Sequence, residues 1–251
     1  MNILNEKIEK ADSIVILGHM NPDGDCLGST LSIYNYIRYK YSGKKKVQVH
    51  LEDSSKKFRV LPGYDAINDK QGDGVVYDLC IICDCSTFER IKGFEQYFNN
   101  AKDKLIIDHH ETNEMKDIDI VLDGKAPATC QIVYDLLDKE YIDKNVATCL
   151  YVGLAHDTGV FRYNSTTKHT MEIAGALMEK GIDFTTLLDE TIFMKSYNTR
   201  LITAKIIERA EFYHGNEVIF AYTDDKELKE YGLSKKDIDA VVVDLRETDG
   251  V

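Results

Sequence analysis

Histidine and aspartate mark four places in this chain, together at three and aspartate alone at one: His19-Met20-Asn21-Pro22-Asp23-Gly24-Asp25, then Asp84, then Asp108-His109-His110, then Asp157 within His156-Asp157-Thr158-Gly159. Imidazole with carboxylate suits Mn²⁺, Fe²⁺, Co²⁺ or Zn²⁺ better than Ca²⁺, which prefers oxygen alone. Six candidate ligands, His19, Asp23, Asp25, Asp84, His109 and Asp157, are too many for one tetrahedral ion. Two ions ~3.5–4 Å apart, bridged by a carboxylate and a water, would use them all. Such a pair generates hydroxide at neutral pH and offsets charge on phosphate oxygens, which favours hydrolysis of a phosphoester or phosphoanhydride over that of an amide. Each residue also has an ordinary structural reading. Asp25 could be a helix N-cap, Asp84 and Asp108 turn residues, Asp157 part of a helix-ending turn, and His109 a structural histidine. Joint placement is what weakens those readings.

That placement follows from the elements. Ile14-Val15-Ile16-Leu17 precedes the first cluster, Leu79-Cys80-Ile81-Ile82-Cys83 precedes Asp84, and Leu105-Ile106-Ile107 precedes Asp108. Short apolar runs bounded by polar residues read as buried parallel strands. In an open α/β sheet the ligand crevice lies outside the carboxyl ends of such strands, so the clusters are expected to converge. Between them, Leu27, Leu31, Tyr34 and Ile37 recur at helical spacing, Val47 to Leu51 alternates as a strand, Leu61-Pro62-Gly63-Tyr64 signals a turn, and 88–98 reads as helical. A short strand is expected at 118–122. From Pro127, suited to the first turn of a helix through Leu137, the pattern turns mostly helical. Asp143 caps a helix running to about Ala155, and another covers 167–180 and stops at Gly181. The segment 185–212 lacks Gly and Pro and reads as a helical connector. A strand at 218–222 and helices at 224–231 and 235–245 complete the chain. The expected fold is α/β, a mainly parallel sheet flanked by helices, then a helical linker and the start of a second α/β domain.

Composition narrows the partners. The 251 residues carry a formal charge of −12, which argues against a duplex-binding protein with its basic face, though bound cations can reverse the local sign at a site. No run approaches the ~20 apolar residues of a membrane span, and the polar start, Met1 to Ala11, does not look like a secretory signal. The expectation is a cytoplasmic protein with no membrane partner. Of the six cysteines, Cys80 and Cys83 resemble half a zinc site, but both fall within one expected strand and no second pair follows. Buried reduced thiols are the favoured reading.

At these residues the chain resembles the DHH phosphoesterase superfamily. Gly18 to Ser29 is similar to its first motif, Asp78 to Asp84 to its second, Ile107 to Asn113 to its third and Gly153 to Arg162 to its fourth. The segment Ala126-Pro127-Ala128-Thr129 and residues 185–251 look nearest to the bacterial oligoribonuclease/pAp-phosphatase (nanoRNase) branch. The resemblance implies one ion held by His19, Asp23 and Asp84 and another by Asp25, Asp84, His109 and Asp157, with Asp84 bridging. It implies His110 against the scissile phosphate or bridging water, Asp108 orienting an imidazole, and Arg162 as a phosphate contact. Two Mn²⁺ ions are expected, with Mg²⁺ or Co²⁺ as alternatives.

The implied domains are a catalytic one at 1–185, a helical linker at 186–214 and a partial substrate-binding domain at 215–251. The branch's glycine-rich Gly-Gly-Gly-His segment and basic motif are not found. The chain is therefore expected to be a fragment of a protein of roughly 300–350 residues, one that binds metal yet turns over substrate poorly. The implied activity is a metal-dependent phosphodiesterase acting on short oligoribonucleotides, dinucleotides or 3′-phosphoadenosine-5′-phosphate (pAp), with a homodimer among the expected assemblies. Alternatives are a linear or cyclic dinucleotide (c-di-AMP/pApA) phosphodiesterase, an inorganic pyrophosphatase and a non-catalytic nucleotide sensor. Competent residues at all metal-ligand positions argue against the sensor. The acidic balance argues against a processive exonuclease, which needs a basic groove with stacking aromatics.

Overall fold

The strands expected to be parallel do pair in parallel. A computed structural model describes residues 2–70, 74–116, 118–238 and 240–251, and divides the chain into two units, Met1–Ile192 and Phe193–Val251. In the first, helix α1 (Ile3–Lys10) leads into β1 (Ser13–Leu17), α2 (Gly24–Lys40), β2 (Lys46–His50), β3 (Ile67–Asn68), β4 (Leu79–Cys83), α3 (Glu95–Asn100), β5 (Asp103–Asp108) and β6 (Ile120–Leu122). Helices α4 (Thr129–Leu136), α5 (Lys144–Asp157), α6 (Lys168–Met178) and α7 (Phe184–Leu188) follow. The six-stranded sheet has the order β3-β2-β1-β4-β5-β6. After β3 the chain crosses back to the other side of β1, so strand order reverses between β1 and β4. The carboxyl ends of those two strands flank the crevice that such a reversal opens.

Strand residues alternate between two cores, because successive side chains in a strand point to opposite faces. Ile14, Ile16, Leu79, Ile81, Leu105 and Ile107 pack in one cluster with residues of α2, α4 and α5. Val15, Leu17, Cys80, Ile82 and Ile106 join another with Phe94, Tyr97 and Phe98. Each fully buried aliphatic side chain contributes roughly 1.5–3 kcal/mol, and the two clusters together fix the sheet. Helices α2 and α5 are the principal helix pair, brought close by two glycines. A Cβ on Gly28 would stand 2.6 Å from the Cys149 carbonyl oxygen and 3.1 Å from Gly153 Cα.

Several expectations are corrected. The segment 88–98 is not one helix: a 3₁₀ turn, Phe88–Ile91, is separated from α3 by Gly93 at φ 97°. Pro127 lies ahead of the Ala128 N-cap rather than in the first turn of α4. Strand β3 carries no apolar run long enough to announce it.

The second unit contains α8 (Tyr197–Glu208), the antiparallel pair β7 (Glu211–Tyr213) and β8 (Val218–Phe220), α9 (Asp225–Glu230) and α10 (Ala240–Arg246). The expected linker 186–214 is shared between the units and is not a single helix. A π turn at Asp189–Phe193 is followed by an N-cap, where Ser196 Oγ accepts from Thr199 N–H at 3.0 Å. The helix expected over 235–245 is a 3₁₀ turn, Lys235–Asp237, and then α10, with residue 239 outside the described residues. Among the described residues no helix is long and apolar enough to cross a membrane. The six cysteines are buried and free.

Candidate metal centre

Register brings the first two clusters together. Leu17 pairs with Ile82 in the parallel ladder, so His19 and Asp84, each two residues further on, emerge side by side. Cys83 pairs with Ile107, and Asp84 N–H still donates to the Ile107 carbonyl at 3.0 Å. Asp84 then turns sharply, at φ 55°, a left-handed conformation that Asp tolerates better than most residues. The fourth cluster arrives differently. Asp157 is the last residue of α5, not a residue after a strand, and the close α2–α5 contact carries it to the others.

The imidazoles of His19 and His109 are oriented alike. His19 Nδ1 lies 2.8 Å from the Met20 carbonyl and His109 Nδ1 3.2 Å from the Ala126 carbonyl. A carbonyl can only accept, so each Nδ1 carries a proton and each Nε2 faces the carboxylates, where its lone pair would be available to an ion once any Nε2 proton is displaced. This is the arrangement metal-ligating histidines adopt. His19 Nε2 is 3.7 Å from Asp23 Oδ1 and 3.4 Å from Asp84 Oδ2. His109 Nε2 is 3.6 Å from Asp84 Oδ1, 3.4 Å from Asp157 Oδ2 and 4.0 Å from Asp25 Oδ2. Asp84 thus presents one oxygen to each imidazole. Donor atoms of Asp25, His109 and Asp157 all lie within 4.8 Å of one another, as do those of His19, Cys26 and Asp84.

Two aspartates of the first loop have separate tasks. Asp23, not Asp25, caps α2, its Oδ1 accepting from the N–H groups of Asp25 and Cys26 at 3.1 Å each. Asp25 is fully buried and is held by the start of α4. Thr129 N–H donates to Oδ2 at 2.6 Å and Cys130 N–H to Oδ1 at 2.9 Å, where unpaired helix N–H groups favour an anion. Thr129 Oγ1 also donates to Asp84 Oδ1 at 3.1 Å.

Gathering these groups distorts their protonation. Burial, then the charges of Asp84 and Asp157, push the Asp25 carboxyl well above its ordinary range. Burial also raises Asp157, against the relief of its contact with His156. At His19 burial favours the neutral ring, but Cys26, Asp23 and Asp84 outweigh it and raise the imidazole. Cations would relieve this repulsion, so the donor set fits divalent ions, whose entry would displace protons. Burial lifts the Cys26 thiol to about 11, against the pull of His19.

His110 adjoins the same group, its Nδ1 3.8 Å from Asp84 Oδ1, with donor atoms of Asp84, His109 and His110 all within 4.8 Å of one another. The His110 Nδ1 is 2.7 Å from Asp108 Oδ1, and Asn113 Nδ2 donates to Asp108 Oδ2 at 2.7 Å. The Asp108 hydrogen bond raises the His110 imidazole, with Arg90 close enough to oppose it. Arg162 follows Asp157 in an exposed turn, its N–H donating to the Thr158 carbonyl at 2.9 Å. Thr129, Asn113, Arg90 and His156 are additions to the expected site. Thr129 and His156 had readable signals, a small hydroxyl residue opening a helix after Pro127 and a histidine directly before Asp157. The other two depend on which way loops fold back.

Residues 13–154 match the DHH family, N-terminal domain, a span that holds the first three clusters and ends just before Asp157. The chain is 30% identical to a probable bifunctional oligoribonuclease and PAP phosphatase NrnA from Streptococcus mutans, over 94% of this chain and 74% of that protein. It is 28% identical to the bifunctional oligoribonuclease and PAP phosphatase NrnA of Thermus thermophilus, over 100% of the chain and 74% of the relative. A crystal structure of an exopolyphosphatase-related protein from Bacteroides fragilis superposes with a TM-score of 0.87 at 23% identity, covering 98% of this chain and 75% of that one.

Proposed function

The chain belongs to the DHH family, and from that premise we propose a two-ion phosphodiesterase that hydrolyses short oligoribonucleotides and dinucleotides and removes the 3′-phosphate of pAp. The observation that carries the two-ion reading is the division of Asp84, Oδ2 toward His19 and Oδ1 toward His109. His19, Asp23 and Asp84 would hold one ion, and Asp25, Asp84, His109 and Asp157 the other. This mixture of imidazole and carboxylate suits Mn²⁺, Fe²⁺, Co²⁺ or Zn²⁺, and Mn²⁺ is the one the family resemblance implies. When bound, the pair supplies a hydroxide at neutral pH and positive charge against the phosphate oxygens.

The remaining work falls to the chain's own residues. Asp108 fixes the His110 ring and favours its charged form, so His110 donates a hydrogen bond to a phosphate oxygen. Arg90 adds a second positive charge on that side, and Arg162 is a further phosphate contact from the turn after Asp157. Thr129 holds Asp25 and Asp84 in place, which matters because positioning the reacting groups contributes heavily to rate. The similarity to oligoribonuclease and PAP phosphatase relatives supports the substrate class. The test is a panel of RNA dinucleotides, longer RNA, pAp and pyrophosphate, each with Mn²⁺. Turnover of dinucleotide and pAp above the others is expected. Preference for pyrophosphate, or equal rates on long RNA, would refute the reading.

A further inference from the structure

His156 has no place in the two ion positions proposed above, yet it stands against both. It lies one residue before the end of α5, with its Nδ1 3.5 Å from Asp157 Oδ1. The other oxygen, Asp157 Oδ2, is the one that faces His109 Nε2. This carboxylate therefore addresses two imidazoles, one with each oxygen, as Asp84 does deeper in the site. Asp23 closes the group: Asp23, His156 and Asp157 each offer a donor atom, all within 4.8 Å of one another. Two walls hold the imidazole there. A Cβ on Gly24 would stand 2.6 Å from His156 Cβ and Cγ, so only glycine leaves room for the side chain beside the Asp23–Asp25 loop. On the ring itself, Phe58 packs edge-on with centroids 5.9 Å apart.

We propose a third divalent-cation position, held by His156, Asp23 and Asp157, at the solvent side of the two deeper ones. Exposure separates it from them. The Asp23, His156 and Asp157 side chains are 43%, 29% and 21% exposed, against 0% for Asp25 and 3% for Asp84. Charge gives it a purpose, on the two-ion reading of the site. Asp23, Asp25, Asp84 and Asp157 together balance two divalent ions, and a hydroxide plus a phosphate then leave the site negative. A cation at the rim offsets that excess where the phosphate enters. Only His156 belongs to this position alone, since both carboxylates are shared, so its ion binds last and most weakly.

Counting bound Mn²⁺ tests this, using the electron paramagnetic resonance signal of free Mn²⁺ with the 251-residue chain, its His156→Gln and its His156→Ala variants. Circular dichroism melting confirms that each variant folds, and the glutamine keeps the bulk against Gly24 and Phe58. The wild type should take up two ions tightly and a third more weakly. Both variants should keep the two tight ions and weaken the third by ~10-fold or more. A wild type that binds two and no more overturns the third position alone. So do variants that retain it, or that lose a tight ion. A wild type binding fewer than two ions would overturn the two-ion reading, and this inference with it.

Discussion

The two units bury apolar surface on different scales. In residues 1–192, parallel strands are sandwiched between two clusters of buried side chains, many of them fully covered. In residues 193–251 the buried cluster consists of Ile202, Ile206, Leu228 and Val241, while Phe193, Met194, Tyr197, Phe220, Tyr222 and Val242 are each more than half exposed. The six candidate metal ligands all lie in the first unit. The difference has a physical basis. Buried carboxylates repel one another and lose solvation, as the raised Asp25 and Asp157 record. Only a frame fixed by many other contacts can hold such groups at fixed separations. A core as small as the one described in the second unit could not.

The largest effect expected is at the bridging position. Asp84→Ala should weaken binding of both ions and lower dinucleotide hydrolysis by well over ~100-fold, beyond the usual 10–100-fold effect of residues that only orient a ligand. Asp25→Ala should spare the ion near His19 and leave more residual activity. Near-normal turnover with two Mn²⁺ bound in Asp84→Ala would show that this carboxylate does not bridge, and the contrast between the units would lose its functional half.

A packing comparison comes next. Ile81→Ala, at a fully buried position in β4, should cost ~2–5 kcal/mol in urea unfolding and weaken Mn²⁺ binding as the strand ends loosen. Ile206→Ala should cost toward ~2 kcal/mol or less, because its small core can relax around the gap, and should leave Mn²⁺ affinity unchanged. Equal effects on metal affinity would mean that the two units do not differ as frames.

Within the first unit, Thr129→Val tests how much positioning comes from one hydroxyl. It keeps the side-chain shape and the backbone N–H to Asp25 but removes the donor to Asp84. Mn²⁺ affinity should fall ~10–100-fold, and Thr129→Ser should restore it. Failure of the serine to rescue would assign the loss to packing.

The sequence and the folded site agree where strands do the positioning. Apolar runs ending at residues 17, 83 and 107 located His19, Asp84 and Asp108, because parallel pairing aligns strand ends by register. Helix caps were readable where a side chain has a single local task, as at Asp143, whose Oδ1 accepts from Val146 N–H at 2.9 Å. The cap of α2 was not: Asp23 and Asp25 are both competent, and the fold assigns the cap to Asp23 and sends Asp25 inward to α4. Asp157 was found as a residue at the end of an expected helix, but nothing in the sequence brought that helix end to the strand ends. Its delivery depends on Gly28 and Gly153 letting two helices touch, a contact between distant positions that no local pattern encodes. The same holds for β7, which has a partner in β8 but no periodic signal in three residues.

The smallest effect is expected on the second unit's surface. Phe220 is 52% exposed and lies on a two-stranded ribbon, where a strand gains little from its neighbours. Its described ring contact is with Tyr222, centroids 6.3 Å apart, itself 66% exposed. Phe220→Ser therefore removes apolar surface that folding has left half in water, and stability should change by no more than ~0.5 kcal/mol. Mn²⁺ affinity should not move, since the ligands belong to the other unit. Hydrolysis of dinucleotide is the informative readout. An exposed aromatic can stack on a base, worth ~1–3 kcal/mol per base. A raised KM with unchanged kcat would therefore give this unit a part in gripping substrate. If both constants stay at wild-type values, Phe220 takes no part in recognition, and the contrast between a unit that positions chemistry and one that does not becomes sharper. A drop in Mn²⁺ affinity would contradict it.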